Sequence, residues 1–366
     1  SMYTGNTMGL AARPTNASYR EFFVLEDADP SETILALAYK SDESIAIRHG
    51  IQFYYKNGKR CATQRFVNHY LKADGKPYTE AELSTMQYAA QFKGRDPRIA
   101  QTLHGPGYIA IAETAPEQLS WERTVSGYRV IKYISDASHE GATTGTSDFA
   151  LFRYAEVLLN YAEAMAELGQ FNQTVADETI NLLRKRVGMA EMKVAELTVD
   201  PYLIDPKTGY SNPILLADPN LAHILEVRRE RGVELAQEGD FRWEGLLRWK
   251  EGKCIEQDMH GIYFPGPGQY NLDNDAAGTI DIWLYGANEA QPTVDATNPI
   301  YASCVVLRIG EEIYLSDGNS GYVDPQQKSE HTFNEARDYF YPIPIDERSL
   351  NPNLTQNPGW NDGLDF

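Results

Sequence analysis

The sequence from residue 152 to residue 164 reads FRYAEVLLNYAEA, and this stretch decides the fold class of the chain. Polar residues recur along it at steps of three and four, which predicts a helix from Asp148 to Leu168 with one narrow polar stripe. Ser147 or Asp148 is the predicted N-cap, and Gly169 fits the left-handed position just past the end. Alanines keep the helix surface thin, so we expect neighbouring elements to approach closely and to cover it on most sides.

Three further helices are predicted downstream of this first one. Thr174 and Asp177 resemble a capping box that opens the second helix, and Gly188 closes it. The first two helices would form a hairpin of the tetratricopeptide type, although no second copy follows at a period of about 34 residues. Asp218, followed by a proline, is predicted to start a third helix that ends near Gly239, and the next residue is predicted to cap a fourth.

The third and fourth helices carry a dense run of charged side chains. The arginines are Arg228, Arg229, Arg231 and Arg242, and they lie among Glu226, Glu230, Glu234 and Glu238 at helical spacings. We interpret them as ion pairs along a helix face rather than as catalytic groups, because neighbours three and four residues apart on a helix pair routinely.

The segments on either side of these helices have a different character. Residues 1–148 have the pattern of irregular, mixed structure, with a predicted strand from Tyr128 to Ile134. The helical scaffold is assigned to residues 149–253, and residues 254–366 are predicted to be rich in loops. We therefore expect one domain with a mainly α-helical fold and a few short strands.

Composition narrows the classes of partner. The 33 Lys+Arg against 52 Asp+Glu give a net charge of −19, which repels phosphate backbones, so nucleic acid is not an expected partner. Cys61, Cys254 and Cys304 lie far apart with no histidine at metal spacing, so neither a metal nor a cofactor is expected. No run of about 18 apolar residues predicts a membrane span. The 23 Tyr favour a wet, loop-built recognition surface.

Three segments of the chain resemble the SusD/RagB family. FRYAEVLLNYAEA at 152–164 resembles the family's RYAEvlLnyAEA helix, and ILEVRRERGVELAQEGDFRWEGLLRW at 224–249 resembles its paired helices. The second resemblance implies that Trp243 and Trp249 are packing residues of the scaffold. The tail, with PIP at 342–344 and QNPGW at 356–360, is similar to the family's C-terminal ending. All three occur in the family's order and approximate spacing, so the resemblance covers residues 150–366 firmly.

The resemblance implies a SusD-like fold, in which tetratricopeptide-type hairpins pack against a large loop-rich region. It also implies a lipid-anchored protein on the outer face of the outer membrane. Such proteins capture oligosaccharides, or peptides in some members, and hand them to a SusC-like TonB-dependent transporter without catalysis. Family members usually begin with a lipoprotein signal and an N-terminal helical portion, so this chain is expected to lack that portion and its anchor.

Trp121 is the first candidate for the ligand site, which the resemblance places on variable loops. Sugars present apolar C–H faces and hydroxyl edges, so a glycan site needs flat aromatic rings beside polar groups. Trp121 lies in the irregular segment ahead of the first scaffold helix. A tryptophan that fills a core between loops is the competing interpretation.

A second candidate surface is the segment Ile280–Tyr285, which alternates strictly between apolar and other residues. The alternation predicts a strand with Trp283 and Tyr285 on one face beside Asp281, an aromatic platform with a hydrogen-bonding carboxylate. The same face could instead pack against a helix. The expected contributors from the adjoining loop are Tyr270 and Asn271.

Two other functional classes are retained as alternatives. A surface glycoside hydrolase would need a pair of carboxylates, which sequence spacing cannot select among 52 acidic residues. A helical-repeat adaptor would bind protein partners alone. Asp273 and Asn274 suggest a calcium loop, but Ala277 and Leu284 occupy positions where an EF-hand loop needs oxygen ligands.

Overall fold

The architecture is described by a computed structural model, in which helices dominate and strands are short. It describes residues 2–3, 18–41, 46–207, 209–295, 297–327 and 331–364. The α-helices are α1 (Ser18–Phe22), α2 (Ile51–Asn57), α3 (Gln64–Val67), α4 (Glu80–Leu83), α5 (Tyr88–Phe92), α6 (Ile99–Thr102), α7 (Tyr154–Glu167), α8 (Gln173–Glu178), α9 (Ile180–Val187), α10 (Pro213–Leu216), α11 (Leu221–Glu234), α12 (Phe241–Arg248) and α13 (Ile345–Leu350). The β-strands are β1 (Thr33–Leu37), β2 (Lys40–Ser41), β3 (Ala46–Ile47), β4 (Phe149–Arg153), β5 (Tyr263–Phe264), β6 (Gly268–Tyr270), β7 (Ile282–Tyr285), β8 (Val305–Arg308) and β9 (Gly321–Tyr322). The prediction of a mainly helical fold is confirmed.

The core of the helical scaffold lies between α7, α9 and α11, which pack against one another. Ala155, Leu159 and Ala162 of α7 are fully buried there. Because two of the three are alanines, the neighbouring helices can approach closely, as the sequence predicts. Another face of α7 stays open, since Val157 and Tyr161 remain 46% and 45% exposed. The expected covering on most sides is therefore incomplete.

Glycines mark the ends of two scaffold helices. Gly169, just past α7, and Gly188, the C-cap of α9, have φ angles of 68° and 74°. Both are left-handed, a conformation that favours glycine at helix ends, and both predicted ends are confirmed. The second predicted helix is, however, divided at Thr179 into α8 and α9. The prediction for the third helix was too long, because α11 ends at Glu234 and Gly239 lies in the turn before α12.

The start of the first scaffold helix differs from the prediction. Residues 149–153 form β4, which pairs antiparallel with β1, and α7 begins only at Tyr154. The carboxylate of Asp148, predicted as a helix cap, instead accepts the backbone N–H groups of Ala28 and Tyr39 at 2.9 Å. A partner strand that is distant in sequence thus replaces the first helical turn, which a local pattern cannot reveal.

Two other predicted helix starts are displaced by about two residues. The N-cap of α8 is Asn172, whose side chain accepts the N–H of Val175 at 3.1 Å, so Thr174 and Asp177 lie inside the helix. The Oδ1 atom of Asp218 accepts the N–H of the residue just before α11, which begins at Leu221. In both places the capping residue types were recognised and the position was wrong.

The predicted strand from Tyr128 to Ile134 is reduced to isolated bridges. Arg129 bridges Cys61, and Val130 bridges Leu103, with no continuous ladder among the described residues. The segment is nevertheless buried, including the side chain of Lys132, whose ammonium group donates to Glu238 at 2.6 Å. The alternating pattern therefore marked burial rather than sheet pairing.

A buried network of ion pairs joins the helical scaffold to the segments around it. Glu234 of α11 lies 2.5 Å from Arg186, 2.9 Å from Arg153 and 3.1 Å from Arg98, and all four side chains are at most 2% exposed. Burial alone would raise the pKa of Glu234, but the three arginines outweigh it and hold that pKa well below its usual range. Of the predicted pairs, Arg229 and Glu226 do pair along α11, at 2.9 Å, but they are buried. Glu234 instead connects different elements in the interior.

The loop-rich region is organised by a small sheet in the order β6-β7-β8. The central strand, β7, runs antiparallel to β6 and parallel to β8. Ile282 and Leu284 of β7 are 1% exposed and form part of the core.

In the C-terminal tail, the side-chain amide of Gln356 binds the backbone of Ile343. It accepts the N–H of Ile343 at 2.8 Å and donates to its carbonyl at 2.9 Å. Among the described helices, none has the length and apolar character needed to cross a membrane.

Candidate ligand-binding site

Trp121 lies on the wall of a cleft of about 450 Å³. A single 3₁₀ turn, Trp121–Arg123, carries it, and its ring contacts Phe264 edge-on with 6.4 Å between centroids. The indole is half-buried, so it is anchored in the core while part of it faces the cleft. Carboxylates lie on the same cleft walls, from Glu122, Glu311, Glu312 and Asp324.

A second cleft, of about 1070 Å³, neighbours the first, and Asp324 lines both. Its walls carry an aromatic pair, in which the rings of His260 and Tyr322 stack with centroids 5.6 Å apart and an interplanar angle of 13°. The other carboxylates on its walls are Glu80, Glu256, Asp258 and Asp317. We call the two clefts together the acidic groove. It has an aromatic group in each half and carboxylates throughout.

Tyr322 is held in place at the groove wall by its hydroxyl. The hydroxyl donates to the backbone carbonyls of Leu83 and Ser84, at 3.2 Å and 3.1 Å. Burial raises its pKa to about 12, so the ring stays neutral at physiological pH. Sequence reasoning missed this residue, because the pairing of β9 with β5 brings it beside His260 and no local motif marks it.

The strand candidates form a separate surface. The ring of Trp283 stacks on Tyr301 with 6.0 Å between centroids and an angle of 24°, and the Tyr301 hydroxyl donates to Gln269 at 3.2 Å. The sheet register aligns Trp283 with Gln269 and Val306, so these residues share one face. Val305, which lines the Trp121 cleft, belongs to the other face. The structure therefore does not bring Trp121 and Trp283 into one site.

Tyr285 and Asp281 do not form the expected exposed platform. Tyr285 is 4% exposed, and Arg308 lies over its ring at 4.9 Å and donates to its hydroxyl at 3.2 Å. Asp281 is 3% exposed and accepts the N–H of Leu272 at 2.6 Å. Burial raises the pKa of Asp281 to about 6. Both expectations are corrected, because the neighbouring strand and loop cover the strand face that alternation predicted to be open.

Tyr270 and Asn271 hold their own loop. The ring of Tyr270 packs against Phe264 with centroids 4.7 Å apart, and its hydroxyl donates to the carbonyl of Gly266 at 2.5 Å. Asn271 accepts the N–H of Asp275 at 3.2 Å and donates back to its carboxylate at 3.1 Å. Tyr270 therefore supports Phe264 beneath Trp121, and the amide of Asn271 is engaged within the loop.

The scaffold tryptophans are packing residues, as predicted. Trp249 is 7% exposed, and its Nε1 donates to Glu163 at 2.6 Å. Trp243 contacts Phe333 at an angle of 73° and donates to the hydroxyl of Tyr341 at 3.0 Å.

Within the described part of the chain, no group of three or more His, Cys, Asp or Glu side chains has a geometry that could hold a metal ion. The groove thus offers aromatic surfaces and hydrogen-bond acceptors, which suit binding of a polyhydroxylated ligand.

Comparison with known proteins identifies the family of the chain. A family model described as SusD family matches residues 31–360. A solved SusD-like protein from Bacteroides fragilis NCTC 9343 has a TM-score of 0.57 at 20% identity, over 98% of this chain and 59% of its own. A SusD-like carbohydrate-binding protein from the same organism has a TM-score of 0.54 at 22% identity, over 95% and 59%. The predicted SusD-like fold is confirmed, and the chain spans 59% of the length of each of these two proteins. No curated protein sequence matches significantly.

Proposed function

The chain belongs to the SusD family, and from this premise we propose that it binds oligosaccharides in the acidic groove and does not act on them chemically. The observation that carries the proposal is Trp121, half-buried on the wall of a cleft that also holds Glu122, Glu311 and Asp324. An aromatic ring offers a flat surface to the C–H face of a sugar, and carboxylates accept hydrogen bonds from its hydroxyls. One solved protein with the same fold is described as carbohydrate-binding.

The charge of the groove selects the class of glycan. Two lysines, Lys59 and Lys207, line the two clefts against eight carboxylate side chains, from Glu122, Glu311, Glu312, Asp324, Glu80, Glu256, Asp258 and Asp317. A glycan that carries carboxylate or sulfate groups would meet like charges there, at a cost that rises where water is excluded. The proposed ligand is therefore a neutral oligosaccharide, and its hydroxyls would donate to these oxygens.

The Trp283–Tyr301 stack is a second aromatic surface that could serve a longer glycan. Its rings lie on the face of the sheet opposite the Trp121 side, so the two surfaces would act separately. We propose it as an accessory contact, because Trp283 is only partly buried while its neighbours Asp281 and Tyr285 are covered.

Delivery to a transporter completes the proposal. Membership of the SusD family supports a protein on the outer face of the outer membrane that passes its ligand to a SusC-like TonB-dependent transporter. Peptide ligands are the competing cargo. Co-purification of the chain with such a transporter would test the partnership, and recovery of the chain without any transporter under conditions that preserve known complexes would contradict it.

Calorimetry with oligosaccharides chosen from a glycan array tests the binding site. Trp121→Ala should reduce affinity at least tenfold, about 1.4 kcal/mol, because it removes the aromatic surface of the cleft. The matched control is Tyr161→Ala, an exposed aromatic residue on α7 outside the groove, which should bind like the wild type. Unchanged affinity in the Trp121 variant would place the glycan site elsewhere.

The same reagents distinguish the alternatives. A hydrolase would release reducing ends from a polysaccharide, and one groove carboxylate variant, such as Glu311→Gln, would abolish the release. An adaptor would bind the transporter equally well with and without glycan and would show no heat with any sugar. Binding without product release is the expected result.

A further inference from the structure

A separate cavity of about 270 Å³ lies where the end of α11, the start of α12 and the segment from Cys61 to His69 meet. Its apolar wall is formed by Phe66, Leu235, Phe241 and Trp249, together with small residues. Gln257 lines this cavity and also the acidic groove, so the two spaces are neighbours. The cavity has no role in the glycan-binding proposal.

The charge of this cavity is opposite to that of the groove. Arg65, Arg231, Arg242 and His69 line it, and none of the described lining residues is Asp or Glu. In a chain with a net charge of −19, a space lined by three arginines and by no Asp or Glu among the described residues is a marked local exception. Such a space attracts anions and repels cations.

Arg231 is the most deeply buried of the three arginines, with 9% of its surface exposed. Its Nη1 donates to Asn160 at 2.6 Å, while its Nε has no hydrogen-bond partner among the described residues. The nearest carboxylate, from Glu163, is 3.8 Å away and lies closer to Arg248, at 2.6 Å. Arg231 also lines an adjacent cleft that holds Glu156, Glu163 and Glu244. Burial lowers the pKa of Arg231, and these three carboxylates offset this only in part. A buried charge of this kind is stabilised by an anion.

Arg242, at the start of α12, also lines the cavity, and its side chain is exposed. Its Nη1 donates to the hydroxyl of Tyr210 at 2.7 Å, and the group lies 5.9 Å from the ring centroid of Trp249. No ion pair joins it to a carboxylate within the described ranges. Arginine can present two parallel N–H donors to a carboxylate, and the adjacent indole supplies a flat apolar surface.

Gly232 leaves the backbone of α11 open to the cavity. It lies inside α11, where glycine is less favourable than alanine by about 1 kcal/mol. It lines the cavity, and a Cβ atom built on it would meet no other atom within 4 Å. The surrounding packing does not require glycine, so the open space beside the backbone remains for a ligand.

We propose that this cavity binds a small organic carboxylate with a flat apolar body. Arg231 and Arg242 would hold the carboxylate, and Trp249 with Phe241 would cover the apolar part. The volume admits about one ring with its substituents, below the size of an oligosaccharide. The cavity and the acidic groove would thus be two neighbouring sites that bind ligands of different charge and size.

Calorimetry of the full chain with benzoate and with its neutral isostere benzamide tests the proposal. Benzoate should bind at least tenfold more tightly, because only the anion engages the guanidinium groups. Equal affinity for both would overturn the anion preference, and absence of heat and of amide chemical-shift changes with benzoate would overturn the site.

Two substitutions at one position make the test specific. Gly232→Leu should fill the cavity without a clash at Cβ and abolish benzoate binding, whereas Gly232→Ala should keep at least half of the affinity. Both should fold, because each replaces a helix-interior glycine by a better helix former. Benzoate binding that survives Gly232→Leu in a folded protein would contradict the proposal.

Charge and location are tested by a second pair of variants. Arg242→Met should weaken benzoate binding at least tenfold and leave benzamide binding unchanged. Trp121→Ala, which changes the acidic groove, should leave benzoate affinity within twofold of the wild type. Loss of benzoate binding in the Trp121 variant would mean that the two spaces are one site, which would overturn the separation proposed here.

Discussion

The carboxylates of the helical scaffold and those of the acidic groove show how one residue type takes opposite roles in this chain. In the scaffold, Glu234 is 0% exposed and lies within 3.1 Å of three arginines. In the groove, Glu311 is 65% exposed, and its nearest cation, Arg308, is 3.6 Å away. The buried carboxylates join elements together, whereas the exposed ones are available to a ligand. The net charge of −19 therefore describes neither region by itself.

The largest expected effect comes from breaking the scaffold network at its centre. Glu234→Gln leaves Arg98, Arg153 and Arg186 with a lost partner in the interior, so the free energy of unfolding should fall by about 3 to 5 kcal/mol in urea denaturation. The matched control is Glu196→Gln, since that side chain is 68% exposed and pairs with Lys193 at 3.4 Å. The control should change stability by less than about 0.5 kcal/mol.

The pH dependence of stability provides a second test of the same network. The folded-state pKa of Glu234 is depressed, so its contribution is present above the unfolded value of 4.5 and is lost as the pH falls below it. The wild type should therefore lose stability steeply below about pH 4.5, and Glu234→Gln should lose less. Parallel acid curves for the two proteins would show that the network does not supply the stability.

A smaller effect is expected at Asp281, which is buried without an arginine. Its folded pKa, raised from 3.8 to about 6, means that its contribution is present below 3.8 and is lost as the pH rises through 6. Asp281→Asn should thus be more stable than the wild type at pH 8, by about 1 to 2 kcal/mol after allowance for solvent screening. At pH 4 the two should unfold alike.

Thermal denaturation at both pH values measures this difference. The pKa of His104 is lowered to about 4 in both proteins. The difference between their melting temperatures therefore reports on Asp281 alone. The control, Asp27→Asn at an exposed position, should follow the wild type at both pH values. A variant that is less stable than the wild type at pH 8 would show that the hydrogen bonds of ionised Asp281 outweigh the cost of its burial.

The smallest effect on stability is expected in the groove. Replacing Glu122 and Glu311 by Gln should change the free energy of unfolding by less than about 0.5 kcal/mol, because both side chains are exposed. The double variant should weaken binding of a neutral oligosaccharide by several-fold in calorimetry, since the amides accept hydrogen bonds less strongly. Destabilisation comparable to that of Glu234→Gln would remove the distinction between the two regions.

The scaffold was largely predictable from local pattern. The period of α7, the left-handed glycines at 169 and 188, and the packing role of Trp249 all follow from residues close together in sequence. The predicted start of the first scaffold helix was wrong for a reason that local pattern does not contain. Residues 149–153 form a strand because β1, more than a hundred residues upstream, pairs with them. Local propensity cannot include a partner that distant.

The candidate site was predictable only in part. Trp121 is on the wall of a cleft, but Tyr285 and Asp281 are buried, because alternation in a strand predicts which residues share a face and not which face is covered. Tyr322 and His260 were missed, since the β5–β9 pairing alone brings them together. The arginines around Gly232 were interpreted as ion pairs, and nothing in their spacing indicates that Arg231 and Arg242 border a cavity.

The sequence by itself determined the helical scaffold, its family and the excess of acidic residues, since periodicity, motifs and composition are properties of neighbouring residues. The tertiary structure decided which charges are buried in pairs, which line the acidic groove and which surround the cavity beside Gly232. The physical reason is that the environment of a charge depends on its neighbours in space. In this chain those neighbours come from segments that are far apart in sequence.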